Sequence, residues 1–303
     1  MTKLFNTKIG ERDFELLTAI DRCPLTPAQL CKLSETFVSP FNDEANMRRR
    51  LRKLASAQLV QCFPYVIGGD GRSPRYYKLT RDGYRLLYGK NASLPKRRYF
   101  QAISPGHHHH TYSLAETIVH LCVKAKENNC EVIQFARENS IKLRAEPFTL
   151  YPDSAFVIRR SDGRCFSFVL EYDNGTERVR SKQDVESIER KIRGYDAHQS
   201  QFAAHDPDRY LVLFITTRSK LRLKYILDVA ADVMKQPQRR VFVGCELRKF
   251  LDADPFHLPV FEDHRGLRRA IVPIEKAPAR ESETNFKSTT SRLGLSPAQA
   301  CNC

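Results

Sequence analysis

No stretch of this 303-residue chain approaches the roughly 20 consecutive apolar residues that a membrane-spanning helix requires, so no membrane partner is expected. The opening run, MTKLFNTKIGERDFELL, has neither an apolar core of signal-peptide length nor a small-residue cleavage site, which argues against export and for a soluble, cytoplasmic protein. The nine cysteines include no CxxC pair, so neither a disulfide framework nor a zinc ribbon is indicated. Cys122, Cys165 and Cys245 read as small buried hydrophobes. Acidic charge is also in short supply: 35 Asp and Glu stand against 50 Lys and Arg, a formal charge of +15. Such a surface attracts polyanions, and nucleic acid is favoured over an acidic protein or a membrane surface. There is no internal repeat.

Two changes of composition divide what is there. Residues 91–106 are polar, basic and proline-bearing, as a linker is. From residue 274 onward apolar residues are scarce and Ser, Thr, Pro and charge abound, which predicts a disordered tail. Length and these boundaries predict an α+β protein in two parts, residues 1–90 and 107–273. In the first part, residues 11–22 place Phe14, Leu17 and Ile20 on one helical face, and Thr26-Pro27 supplies an N-cap followed by proline at the first helical position. Asn42 is the expected cap of a third helix, with Met47, Leu51, Leu54 and Gln58 as its inner stripe. Leu59 to Phe63 and the segment RYYKLT read as strands joined by the glycine-rich turn GGDGRSP, and RDGYRLLY starts another helix. Helix, helix, helix, strand, turn and strand, in that order, resemble a winged helix-turn-helix.

The third of those helices is crowded with cations. Because its apolar stripe faces inward, Asn46, Arg48, Arg49, Arg52 and Lys53 are candidates for contact with duplex DNA in the major groove, and Arg72 and Arg75 on the wing for contact with the flanking backbone.

The second part predicts a helix over 111–127, strands near 132–135, 141–144, 155–159 and 166–172, a helix over 181–202, the strand YLVLFITT, another helix and the strand RRVFVGCE. That order implies a mixed sheet flanked by helices. Pro152-Asp153 precedes one strand, Ser161-Asp162-Gly163 reverses the chain, and the next strand ends in Glu171-Tyr172-Asp173. Strand alternation puts Glu171 and Asp173 on one face. Asp153, Glu171 and Asp173 are therefore candidate ligands for Mg²⁺, which can activate water against a phosphodiester. Glu177 reads as a cap of the following helix, and Glu116 is a fourth carboxylate candidate. Four consecutive histidines, His107 to His110, point in different directions on a helix and cannot share one ion; one inward histidine is the alternative.

An Asp, a hairpin and then a Glu two residues from the strand end resemble the PD-(D/E)xK nuclease-like superfamily, except that Asp173 stands where that pattern has its lysine. In some members the lysine has moved to the following helix, which makes Lys191 or Lys182 the counterpart here. The combination of a winged helix, Pro152-Asp153, the run LEYDNGTE, Lys191 and Tyr195 resembles the replication-relaxation family of bacterial plasmid and chromosomal proteins. That resemblance spans about residues 10–250 and implies a winged helix-turn-helix followed by a restriction-endonuclease-like α/β domain, acting in replication control. Three readings remain open: a DNA-binding protein with an inactive nuclease-like scaffold, a Mg²⁺-dependent nuclease using Asp153, Glu171, Asp173 and Lys191, and a transcriptional regulator. Mg²⁺ is implied only by the second, and no cofactor by the others. Double-stranded DNA is the expected partner, with replication or mobilisation proteins and a second copy of the chain as further candidates.

Overall fold

In a computed structural model, residues 8–67, 73–181, 187–203 and 206–273 are described. The expected tail, Arg72 and Lys182 lie outside them.

Three helices, α1 (Glu11–Arg22), α2 (Pro27–Leu33) and α3 (Glu44–Ser56), precede an antiparallel pair, β1 (Val60–Pro64) and β2 (Arg75–Leu79), and then α4 (Arg81–Tyr88). This is the winged-helix order. Thr26 caps α2 as expected: its hydroxyl accepts the Gln29 N–H at 3.2 Å while the Gln29 side chain accepts the Thr26 N–H at 2.9 Å. Three details differ from the sequence expectation. Asp43, not Asn42, caps α3, because its carboxylate accepts the Asn46 N–H at 2.7 Å. Phe14 is 41 % exposed, since the buried stripe of α1 runs through Leu16, Leu17 and Ile20. Gln58 leaves the inner stripe because α3 has ended and its φ is +58°, which turns it to solvent. Met47, Leu51 and Leu54 are fully buried.

The residues between the two parts include two short 3-10 turns, Arg97–Phe100 and Pro105–His107. Then come α5 (His108–Glu127), β3 (Cys130–Ala136), the small pair β4 (Leu143–Ala145) and β5 (Phe148–Leu150), β6 (Ser154–Arg160), β7 (Cys165–Asp173), α6 (Ile188–Gln199), β8 (Leu211–Thr216), α7 (Lys220–Val233), β9 (Phe242–Glu246), α8 (Leu247–Leu251), β10 (Phe261–Asp263) and β11 (Arg268–Arg269). A seven-stranded mixed sheet runs in the order β11-β10-β9-β8-β7-β6-β3. Strands β3, β6 and β7 are antiparallel neighbours, whereas β7, β8 and β9 are parallel. The sheet thus extends beyond β9, where the sequence expectation stopped, and the expected strand at 141–144 belongs to the separate β4–β5 pair.

Each face of the sheet has its own cover. Val169, Val212 and Phe214 pack with Ile188, Ile192 and Tyr195 of α6 and Ile226 and Ala230 of α7. On the opposite face, Phe168, Leu170 and Tyr172 join Leu114, Ile118 and Leu121 of α5 in a cluster that continues into the winged-helix core. The chain to Pro273 groups as one unit. Polar contacts fasten the same junction: buried Asp21 of α1 accepts the hydroxyls of Tyr88 (2.8 Å) and Tyr99 (2.5 Å) and pairs with Arg137 at 3.1 Å. Cys122 and Cys245 are buried as expected, but Cys165 is exposed because it starts β7 just after the hairpin. No helix among the described residues is long and apolar enough to cross a membrane.

Candidate DNA interface and candidate metal-binding cavity

The outer face of α3 follows from its inner one. With Met47, Leu51 and Leu54 held in the core, Arg48, Arg49, Arg52 and Lys53 are exposed and Asn46 is half-buried. Arg48 pairs with Glu44 one turn earlier at 2.5 Å, and Arg49 donates to Asn46 Oδ1 at 2.6 Å. Pairs of this kind on an open helix face contribute little to stability and are readily exchanged for phosphate. Arg50 is different: it forms an ion pair with buried Asp13 of α1 and donates to the Lys8 carbonyl at 2.9 Å, so it holds α3 to α1. A cleft of about 340 Å³ opens beside the helix, lined by Arg12, Phe41, Asn46, Arg49, Arg50 and Lys53. Arg12, which the sequence did not single out, lies 4.2 Å over the Phe41 ring. Arg75 is exposed at the start of β2.

The second site lies where β6 begins and β7 ends. Ser154 pairs with Leu170 in an antiparallel register, which sets Asp153 level with Glu171. Asp153, Glu171, Asp173 and Lys191 all line one cavity of about 360 Å³, with Glu138 and Glu177 beside them. Their side chains are engaged differently. Glu171 is buried, receives Lys191 Nζ at 3.0 Å and is hydrogen-bonded by the Tyr195 hydroxyl. Lys191 also reaches Glu177 at 2.8 Å. Burial, reinforced by the charge of Asp153, pushes the Glu171 carboxyl up to about 7, against the pull of Lys191 and Tyr195. Burial alone would lower the Lys191 ammonium, but Glu171 and Glu177 raise it above its ordinary value, so it stays charged.

Asp173 faces the same side of the sheet, yet its oxygens are occupied. The Arg222 guanidinium of α7 grips both at 2.7 Å, the Thr216 hydroxyl donates at 2.7 Å and the Gly175 N–H at 3.1 Å. Gly175 has φ +79°, the left-handed turn that brings its N–H back onto Asp173. Burial pushes the Asp173 carboxyl up, but Arg222 and Thr216 bring it below the usual range. With its lone pairs satisfied in this way, Asp173 acts as the anchor of α7 rather than an open ligand. The expected capping role of Glu177 falls instead to Ser187, whose hydroxyl accepts the Arg190 N–H at 3.3 Å. Glu116 also leaves the site, because it accepts Gln29 of α2 at 2.6 Å.

The four histidines separate by direction. His108 is buried: its Nδ1 accepts the Val66 N–H at 2.7 Å, so Nε2 carries the proton and donates to the Ile103 carbonyl at 3.0 Å. His107 lines the cavity, His109 is exposed, and His110 turns inward, with Nε2 3.2 Å from Asp153 Oδ1. Burial would lower His110, but Asp153 raises it above the ordinary imidazole value.

The replication-relaxation profile matches residues 21–208, from the end of α1 through the rest of the winged helix to Asp153, Glu171, Asp173 and Lys191. The chain belongs to the replication-relaxation family. No curated protein matches it. Among solved structures, Bacillus subtilis PadR in complex with operator DNA aligns at 12% identity over 40% of this chain and 70% of that one, and the TM-score of 0.25 marks a slight likeness.

Proposed function

We propose that this replication-relaxation family member is a cytoplasmic DNA-binding protein of replication control, which seats α3 in the major groove of duplex DNA. One observation carries the reading: a helix whose inner face is locked by Met47, Leu51 and Leu54 presents Arg49, Arg52 and Lys53 together to solvent. The sheet domain serves in this reading as a nuclease-like scaffold. Its order of helix, antiparallel strands, helix and parallel strand is compatible with that superfamily, while the grip of Arg222 on Asp173 and of two glutamates on Lys191 favours structure over turnover. A Mg²⁺-dependent nuclease is the second reading, favoured by the shared cavity of Asp153, Glu171 and Lys191.

A mobility-shift titration of duplex DNA over a salt series tests both. Arg49→Ala with Lys53→Ala weakens binding and lowers the slope of log affinity against log salt by about two, one for each phosphate that is no longer neutralised. Unchanged affinity would remove α3 as the DNA-contacting element. For the scaffold, binding survives EDTA and Asp153→Asn, and plasmid stays intact with Mg²⁺; nicking by the wild type that Asp153→Asn abolishes would establish the enzyme.

A further inference from the structure

The two oxygens of Asp153 have different surroundings. Oδ2 accepts the Tyr172 backbone N–H at 2.7 Å, which fixes the carboxylate against the end of β7. Oδ1 faces away from that bond, toward His110 Nε2 at 3.2 Å. A third group arrives from the turn after β3: Ala136, the last residue of β3, pairs with Ala155, and Glu138 follows two residues later. One ligand atom each from His110, Glu138 and Asp153 lie within 4.8 Å of one another.

We infer that His110, Glu138 and Asp153 form a site for a first-row transition-metal dication of the Mn²⁺, Fe²⁺ or Zn²⁺ class, selected over Mg²⁺. Two carboxylates brought this close repel, and a dication between them turns that repulsion into attraction. The imidazole selects the class of ion, because Mg²⁺ takes oxygen ligands whereas imidazole suits the transition metals. Ligand atoms each about 2.0–2.2 Å from a shared ion stand roughly 3 Å apart, close to the separation of Nε2 and Oδ1. The first turn of α5 is fixed in place because His108 is tied to Val66 and Ile103, so His110 is presented from a braced backbone. Glu138 is exposed, which leaves an entry path. Glu171 and Asp173 are excluded from this set by their own partners: Lys191 and Tyr195 for the first, Arg222 for the second.

This site shares Asp153 with the nuclease reading but does not depend on cleavage, nor on DNA. The test is titration of the full chain with Mn²⁺, following loss of the free-ion electron paramagnetic resonance signal; Mn²⁺ is the probe because it prefers nitrogen and oxygen to the chain's thiolates. One Mn²⁺ should bind per chain. Zn²⁺ should displace it at near-equal concentration, whereas Mg²⁺ should require an excess on the order of tenfold or more. His110→Ala and Asp153→Asn should each weaken binding by on the order of tenfold or more. His110→Gln, which retains a polar side chain of similar reach, should lose the ion likewise, and circular dichroism matching the wild type separates a missing ligand from a missing fold. The Arg49→Ala/Lys53→Ala protein should bind Mn²⁺ normally, so a failure of the DNA reading leaves this result intact. No bound Mn²⁺, equal binding by folded His110→Ala or His110→Gln, or Mg²⁺ binding as tightly as Mn²⁺ overturns the inference.

Discussion

The outer face of α3 and the cavity at the ends of β6 and β7 both concentrate charge, but in opposite ways. On α3, Arg50 and its pair with Asp13 of α1 aside, the charges are mostly cations, exposed, and tied among the described residues at most to a neighbour on the same helix. In the cavity carboxylates predominate, Glu171 and Asp173 are buried, and their partners come from distant elements: α5 for Asp153, α6 for Glu171, α7 for Asp173. Solvent-exposed charges add little to folding and remain available to a polyanion. Buried charges must be compensated for the chain to fold, and what compensates them is not free to act. The difference separates an exposed cationic face, as the DNA reading requires, from a site whose Glu171 and Asp173 are held by partners while the Asp153 and Glu138 edge stays more open.

The largest expected effect breaks the cavity side of this comparison. Arg222→Ala leaves the Asp173 carboxylate buried without its guanidinium, and removing one partner of a buried pair costs about 3–5 kcal/mol. Thr216 and Gly175 still donate to Asp173, which places the expectation near the lower end. Urea unfolding measures it directly. Asp173→Asn combined with Arg222→Met should recover most of the loss, because neither charge then remains to be compensated. If Arg222→Ala alone unfolds at the wild-type denaturant concentration, the pair does not anchor α7.

A smaller effect is expected from pH. Glu171 takes up its proton more readily in the folded chain, at about 7, than at the ordinary 4.5 of an unfolded one. Between those values the folded state therefore holds more protons, and stability declines as pH rises through this window. His110, raised by Asp153, acts in the same direction: stability from its protonation is present below 6.5 and is lost as pH passes its folded value. Asp173 titrates below both, so its contribution disappears only in more acidic solution. In EDTA, the melting temperature should fall from pH 5 to pH 8, and Glu171→Gln should flatten that fall. An identical slope in the variant would mean that Glu171 keeps its charge throughout.

How much of each region is legible in the sequence follows the same division. The α3 surface can be read because one helical period decides it: once Met47, Leu51 and Leu54 are assigned inward, the cations must face out. The carboxylates at 153, 171 and 173 are legible too, from strand alternation and the hairpin. Their partners are not. Arg222 lies 49 residues beyond Asp173 and arrives through the parallel β7–β8 pairing and the placement of α7. Glu138 becomes a neighbour of Asp153 through the turn that follows β3, whose register with β6 shifts between Ile133 and Ala136. The run of four histidines marks the first turn of α5, but which of them turns inward depends on His108 being captured by the wing strand's end. Gln58 and Phe14 show the converse error, where a period is extended past the helix end or laid on the wrong face.

The smallest expected effect sharpens the α3 side. Arg49 and Lys53 are exposed, and among the described residues Arg49 bonds within its own helix and neither lies in the core. Replacing both by Ala should therefore move the unfolding free energy by no more than about 0.5 kcal/mol, the range for surface substitutions without a structural role. Ala is also the stronger helix former at both positions, which offsets part of the forfeited pairing. Arg50→Ala supplies the contrast from the adjacent residue: its ion pair with buried Asp13 joins α3 to α1, so its removal should destabilise clearly more than the double replacement. Urea unfolding of the two proteins side by side measures the difference. A double variant as unstable as Arg50→Ala would show that Arg49 and Lys53 help to hold the fold, and weaker DNA binding by that variant would then report unfolding rather than the absence of two phosphate-binding cations.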